Sequence, residues 1–434
     1  LWLCISNISL EIYIQCLPRK ILAKLESAPV NASKFFSKQK VGDKMLQEYD
    51  IVVIGAGPAG STAARFAAAG GARVLVLERN HETGEKIRCG EGVTAKGLKE
   101  FIQPDAAWIS SEIDGADIYA PNGERASLGK VGKGYVLERK KFDAELCRLA
   151  CAAGAELMTQ ANACNLRYAD QRLLGVEYFH LGQKKFVSCD LVIAADGVES
   201  RVGRWAGLKT KLAADQLDVS LSYKIDNILL PSQTLQFYFG NSLAPGGYLW
   251  VFPKSSQSAN IGLAINGERS SEYNLQQSLD DFLEQKFPTA RVREKFYGCI
   301  PIAAGLPEIV ADHLLLAGDA ARQVNPLTGG GITQALVGGK LAGIRAAAAV
   351  KAQRFERQFL QKYQADWQKR LGKYHQIYAK LAGRLMTKSD ANLNQLIESC
   401  QAISPQKNVL KVLLLKSLRR NPKEVIKLVK ALLN

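Results

Sequence analysis

Glycines at positions 55, 57 and 60, carboxylates at Glu78 and Asp319, and a thiol at Cys89 are the residues whose types and spacing could do chemistry. The spacing G-x-G-x-x-G is that of a main chain that cradles pyrophosphate. Gly55 permits a tight turn, Gly57 lets the anion approach the backbone, and Gly60 lets a helix pack closely on the preceding strand. Glu78 stands eighteen residues after Gly60, where a carboxylate can accept hydrogen bonds from both hydroxyls of an adenosine ribose. Cys89 lies in Arg88-Cys89-Gly90-Glu91-Gly92. There a neighbouring cation favours thiolate, and Gly90 and Gly92 would admit a flat ligand; a structural cysteine fits the same residues. Near the other end of the chain, Gly318-Asp319 precedes Gly329-Gly330-Gly331-Ile332. This second glycine-rich segment opens a helix whose free N–H groups can face an electron-rich ring edge, and Asp319 could bind a ribityl hydroxyl. A nicotinamide dinucleotide does not need two such sites, whereas an extended FAD does, although the first motif alone fits either cofactor.

The elements that must position these residues are legible from patterning. Asp50–Ile54 is a β-branched run of the kind buried on both faces, and Arg73–Leu77 is a second one, with a helix between. Tyr135–Arg139 reads as a strand and Lys141–Gly154 as an amphipathic helix, which puts Arg139 at a junction within reach of a cofactor phosphate or ribose. Short strands follow at Glu156–Leu166, Leu173–Phe179 and Phe186–Cys189, and Leu191–Ala195 leads into the turn Asp196-Gly197. From Leu217 to Asn266 the period becomes two, with Pro and Gly at the boundaries, as in an antiparallel sheet. Within it, alternation puts Tyr248, Trp250 and Phe252 on one face. They suit sheet packing and equally suit the wall of a long hydrocarbon.

The expected fold is α/β: a Rossmann-like FAD-binding domain, an interleaved antiparallel-sheet substrate domain and a C-terminal helical region. The expected boundaries are 45–210 and 296–350 for the first, 211–295 for the second and 351–434 for the third. The first Met is Met45, so residues 1–44 are expected to be an upstream or disordered extension. Of the net charge of +16, residues 45–350 contribute almost nothing, with 32 Lys/Arg against 33 Asp/Glu, whereas residues 351–434 hold eighteen against five. The basic character therefore lies in the tails. Apolar faces opposite lysines at 408–420 and 421–434 suit either a docked helical cap or contact with an anionic membrane. Recognised nucleic-acid modules are lacking, which argues against that class of partner. Nine cysteines without a C-x-x-C pair argue against a disulfide framework and a zinc ribbon, and point to a reducing compartment; the expected location is cytoplasmic, with the basic C-terminal region allowing a peripheral place at the inner membrane face. Cys147 and Cys151 are expected to be buried small apolar residues. Four scattered histidines suggest neither a metal site nor a triad.

With these residues placed, the chain resembles the geranylgeranyl reductase family of FAD-dependent oxidoreductases, within the para-hydroxybenzoate hydroxylase-like fold group. The resemblance covers about residues 47–400. It rests on GAGPAG with Glu78, on Asp196-Gly197, on Gly318-Asp319, and more narrowly on P-x-x-Y-x-W-x-F-P from Pro245 to Pro253 and RCGEG at 88–92. The last resembles the digeranylgeranylglycerophospholipid reductase branch. It implies FAD contacts by Gly55, Gly57, Gly60 and Glu78; by Cys89, Gly90 and Gly92 along the flavin; by Arg139 and Ala163 near the adenosine half; and by Asp319, Gly331 and Ile332 at the ribityl chain and ring. Tyr248 and Trp250, with Phe252, would line the prenyl tunnel, and Cys89, Tyr248 or a bound water would supply a proton. The expected reaction is saturation of isolated C=C bonds on a prenyl lipid or prenyl diphosphate, with NADPH or ferredoxin as external reductant. The alternatives are a flavin monooxygenase or dehydrogenase on an aromatic or quinone substrate, and a non-catalytic prenyl-binding protein.

Overall fold

A computed structural model describes residues 48–85, 87–170 and 172–401. The expectations for residues 1–44 and for the two basic helices of 408–434 lie outside them. The first βαβ unit forms as its pattern requires. Strand β1 (Glu48–Ile54) leads through the glycine turn into α1 (Pro58–Ala69), and β2 (Val74–Leu77) returns parallel to β1 in register Ile51 to Val74. Pro58 starts the helix, where its missing N–H costs nothing, and the buried residues of the helix are all small: five alanines with Gly60, Ser61 and Thr62.

Strand β3 (Gly92–Thr94), helix α2 (Ala95–Lys99) and the long strands β4 (Ile109–Tyr119) and β5 (Arg125–Leu137) come next, then α3 (Arg139–Ala152). Strands β6 (Glu156–Met158), β7 (Ala161–Ala169), β8 (Arg172–His180) and β9 (Gln183–Ala194) follow, then a short helix, α4 (Arg201–Trp205). Strands β10 (Leu217–Asp226), β11 (Thr234–Tyr238), β12 (Tyr248–Pro253) and β13 (Ser258–Asn266) precede α5 (Leu275–Lys286) and β14 (Arg291–Pro301). After β15 (Val310–Ala311) and β16 (Leu314–Leu316) come helices α6 (Ile332–Ala352), α7 (Arg357–Trp367), α8 (Lys373–Leu385) and α9 (Asp390–Gln401).

These strands make two sheets. The first is parallel through β6-β2-β1-β9-β16, with β15 antiparallel at its edge and the β7-β8 hairpin attached to the first half of β9. The run read as two strands, 186–189 and 191–195, is one: β9 serves the hairpin with its first half and β1 with its second. The second sheet runs β14-β10-β13-β12-β11-β4-β5-β3. It is not confined to 211–295. Strands β3, β4 and β5 join it from the segment assigned to the FAD-binding domain, and the boundary at 295 falls inside β14. The cause is visible in the sequence from 109 to 137, where register shifts and the glycines at 115, 129, 132 and 134 blur the period-two pattern. Helix α3 begins two residues before its expected start, so Arg139 is its first residue rather than the end of a strand.

The main core fills the space between the first sheet and helices α1, α3, α6 and α7; a second core lies between the outer sheet face and α5. Helices α1 and α6 pack backbone to backbone. A Cβ on Gly339 would come within 2.3 Å of the Ala59 carbonyl oxygen, and one on Gly343 equally close to that of Ala63. Among the described residues, no helix is long and apolar enough to cross a membrane.

Candidate active site

The two sheets enclose a cavity of about 1450 Å³, larger than the roughly 300–1,000 Å³ of a drug-sized pocket. At one end is the glycine turn. Gly55 has φ +98° and a Cβ there would lie 2.4 Å from the Ala195 carbonyl oxygen, while one on Gly60 would lie 1.8 Å from that of Gly55. Only glycine tolerates either contact. A Cβ on Gly57, by contrast, would meet nothing within 4 Å, because that side of the turn is open to the cavity. Glu78 and Ala163 line the same end. Glu78 is buried; its Oε2 accepts from Ala56 N–H at 2.9 Å, and its Oε1 accepts from the main chain and amide of Asn80 at 2.9 and 2.8 Å. Three of about four acceptor sites are thus engaged, so the carboxylate is fixed before any ribose arrives.

Midway along, Cys89 lies in the interior and opens onto the cavity, its Sγ accepting from the Glu91 N–H at 3.2 Å. The expected thiolate is corrected here. Burial pushes the Cys89 thiol up, only partly offset by Arg139 and by the Glu91 N–H. The helpful cation is Arg139, not the exposed Arg88, and it is already committed to a bidentate pair with Asp143 at 2.8 and 2.9 Å. Burial opposes the guanidinium charge, but Asp143 outweighs it and holds the Arg139 pKa above its ordinary value. Arg139 also acts electrostatically on Asp319, whose carboxyl burial pushes up. Its influence therefore reaches Cys89 and Asp319 at the cavity centre, beyond the adenosine end inferred for it.

Asp319 is placed by a relay of hydrogen bonds. Gly318 N–H donates to Gln323 Oε1 at 2.8 Å, Gln323 Nε2 donates to the Tyr363 hydroxyl at 2.9 Å, and that hydroxyl donates to the Leu316 carbonyl at 2.7 Å. Helix α7 thereby pins the turn between β16 and α6. Gly331 and Ile332 follow at the N-terminus of α6, where a Cβ on Gly331 would approach Asp319 Oδ1 to 3.4 Å.

The opposite wall is side chain rather than backbone. Tyr248, Trp250 and Phe252 line the cavity together with Leu235 and Phe237 from β11, with edge-to-face contacts from Phe237 to Tyr248 and Phe252 at centroid separations of 5.7 and 5.5 Å. Gly262 on β13 makes the room for it, since a Cβ there would lie 2.5 Å from the Trp250 ring. Gly90 and Gly92 serve this wall too. Their missing Cβ atoms admit Phe252 at 3.0 Å, so what comes close to these glycines is protein as well as space for a ligand. The Tyr248 hydroxyl donates to the Thr328 carbonyl at 2.7 Å, tying the wall to the second glycine segment.

The sequence reading missed what anchors the Cys89 loop. Glu91, 1% exposed and at φ +70°, accepts from Lys254 Nζ at 2.6 Å and from Asn260, and Lys254 also reaches Glu138 at 2.8 Å. Nothing local marks Lys254, though a charge directly after an aromatic strand on a buried wall is a signal in retrospect. Gly262 was findable, since glycine inside a strand marks close approach. Of the cysteine pair, Cys147 is buried, 3.2 Å from Ser61 Oγ, whereas Cys151 is exposed, contrary to expectation.

The arrangement fits FAD on its own geometry. One cavity borders both glycine segments, a glycine cradle stands open at Gly57, and α1 and α6 both bring N-termini to it; buried Asp196 Oδ1 and Trp250 Nε1 have no protein partner. Comparison with known proteins agrees. Residues 216–299 match the geranylgeranyl reductase catalytic domain, and residues 50–239 match the FAD dependent oxidoreductase family. Digeranylgeranylglycerophospholipid reductase 1 of Methanococcoides burtonii is 39% identical over 373 residues, 84% of this chain and 90% of that protein. The digeranylgeranylglycerophospholipid reductase of Methanocella arvoryzae is 36% identical, with 89% and 100% covered. A geranylgeranyl bacteriochlorophyll reductase-like protein of Thermoplasma acidophilum has a similar crystal structure, with a TM-score of 0.82 at 33% identity, covering 88% of this chain and 99% of its own. The p-nitrophenol 4-monooxygenase of Pseudomonas putida, at 16% identity and a TM-score of 0.68, covers 85% of this chain and 98% of its own and shares the fold alone. By identity and coverage together, the chain belongs to the geranylgeranyl reductase family of FAD-dependent oxidoreductases.

Proposed function

We propose that this reductase saturates the isolated double bonds of geranylgeranyl chains carried on a glycerophospholipid. The observation that carries the reading is the aromatic wall of Tyr248, Trp250 and Phe252, which faces the same cavity as the glycine cradle; relatives named for that lipid support it. When bound, the flavin supplies hydride from its reduced ring. Gly55, Gly57, Gly60 and Glu78 hold its adenosine and pyrophosphate, Ala163 and Arg139 flank it, and Cys89, Gly90, Gly92, Asp319, Gly331 and Ile332 border the ribityl chain and ring. Trp250 and Phe252 exclude water from the alkene and present ring faces to positive charge as it is protonated. An unpolarised alkene needs that proton, because hydride alone has no electron-poor carbon to attack. The electron donor is NADPH or ferredoxin visiting transiently, and the basic C-terminal segment brings the enzyme to an anionic membrane face.

Anaerobic incubation with dithionite and a panel of prenyl lipids, followed by mass spectrometry, tests this. A gain of two hydrogens per saturated bond, greatest on the digeranylgeranyl phospholipid, is the expected result. Oxygen-dependent consumption of NADPH with a hydroxylated aromatic product would instead establish the monooxygenase chemistry of its fold neighbours.

A further inference from the structure

Asp218 is a buried carboxylate that no part of the cofactor cradle uses. It is 8% exposed, and its Oδ1 has no hydrogen-bond partner. Strand pairing fixes the direction in which it points, because residues directly opposite in an antiparallel sheet share a face. Asp218 lies opposite Ile300 of β14, which lines the cavity, and opposite Asn266 of β13. Two residues on, Ser220 lies opposite Ala264, and Ala264 opposite Tyr248. Asp218 and Tyr248 are therefore on one face, in adjacent rows. Ile300, opposite the acid, and the Tyr248 hydroxyl both border Gly329: a Cβ there would be 3.8 Å from the hydroxyl and 3.6 Å from Ile300 Cδ1.

We propose that Asp218 is the proton reservoir of the reductase, resupplying Tyr248 as the tyrosine protonates the alkene. This rests on the alkene-reductase reading. Tyr248 opens onto the cavity and Asp218 does not, so Asp218 acts through Tyr248 and is a positioning and proton-supplying residue. Two electrons and one hydrogen arrive as hydride from reduced flavin. The second hydrogen passes as a proton to carbon from the Tyr248 hydroxyl, turned from the Thr328 carbonyl to the alkene, while a water bridging across β13 carries the Asp218 proton to the phenol oxygen. One π bond is lost, two C–H bonds form, and the negative charge stays on the Asp218 carboxylate until solvent returns a proton.

The electrostatics support the pairing. Tyr248 alone is a poor acid: burial raises its pKa, and the nearby Asp218 and Cys89 raise it further. Burial also pushes the Asp218 carboxyl up, to about 7, so that it holds its proton near neutrality and can still release it. Asn266 and Ile300 flank it from β13 and β14, Ser220 follows it on its own strand, and Tyr248 is the titratable group facing it from β12.

The test uses full-length holoenzyme, reduced with dithionite and mixed with a geranylgeranyl lipid that the wild type saturates; a wild type that saturates none refutes the alkene-reductase reading rather than this one. Asp218→Asn and Tyr248→Phe are each expected to slow single-turnover saturation by about 100-fold or more, the usual reach of general acid catalysis, with flavin retained in both and lipid affinity unchanged in Asp218→Asn. The double variant is expected to be no slower than the slower single one, because both act in one relay. A second readout needs no turnover. A carboxyl whose folded pKa lies above its unfolded value stabilises fully below the unfolded pKa, and that contribution is lost as pH rises through about 7. The thermal midpoint of Asp218→Asn is therefore expected to gain on wild type between about pH 5 and 8. Full single-turnover rate in Asp218→Asn, multiplicative losses in the double variant, or a midpoint difference independent of pH would each overturn the proposal.

Discussion

The two ends of the cavity are built from different materials. The cradle end is backbone: the turn at Gly55, Gly57 and Gly60 with two helix N-termini, set by contacts in which a single added carbon would collide with a carbonyl oxygen. The far wall is side chain: rings from β11 and β12 lying over the glycine gap at Gly262, with a buried ion pair at the rim. A backbone site recognises what every dinucleotide has in common, and it can hardly be adjusted without being lost. A side-chain wall can be reshaped one ring at a time, so substrate choice belongs there.

Substitutions can separate the two ends. The largest effect is expected from Lys254→Ala, which leaves buried Glu91 without its cation; chemical denaturation should show a loss of about 3–5 kcal/mol, with the Cys89 loop released from the wall. Gly60→Ala forces the helix off its strand and should cost about 1–3 kcal/mol or more; absorbance of the desalted protein should show the flavin gone. If that variant keeps its flavin and its stability, the cradle is more adjustable than its contacts imply. Trp250→Phe should cost under about 1.5 kcal/mol and retain flavin, with the change appearing in the lipid KM. Smallest of all, Cys89→Ser should alter turnover by less than about threefold, under about 1 kcal/mol of barrier, because the thiol is neutral and Arg139 is engaged with Asp143. A larger loss with an altered pH profile would return Cys89 to the proton path.

The same contrast explains what could be read in advance. The cradle is local: strand, turn, helix and Glu78 lie within one stretch, and the requirement of each position shows in its residue type. Tyr248, Trp250 and Phe252 were legible as a face because alternation is local, but not as one side of a chamber, since that depends on β11 and on Gly90 meeting them across the fold. Glu91 and Lys254 meet across 163 residues, and no pattern in either neighbourhood records the pairing. The β3–β5 segment was assigned to the wrong layer because pairing partners, unlike periodicity, are not written in the strand itself.

The bare seam between α1 and α6 also bears on how the molecule is made. Helix α1 leaves the ribosome about 260 residues ahead of the helix that covers it. At 5–20 residues per second that interval is roughly 15–50 s. Throughout it, the α1 backbone at Ala59 and Ala63 must wait uncovered, and the cofactor cradle has only one of its two helix ends. A cradle with both helix ends cannot exist until the Gly338–Gly343 segment has been made.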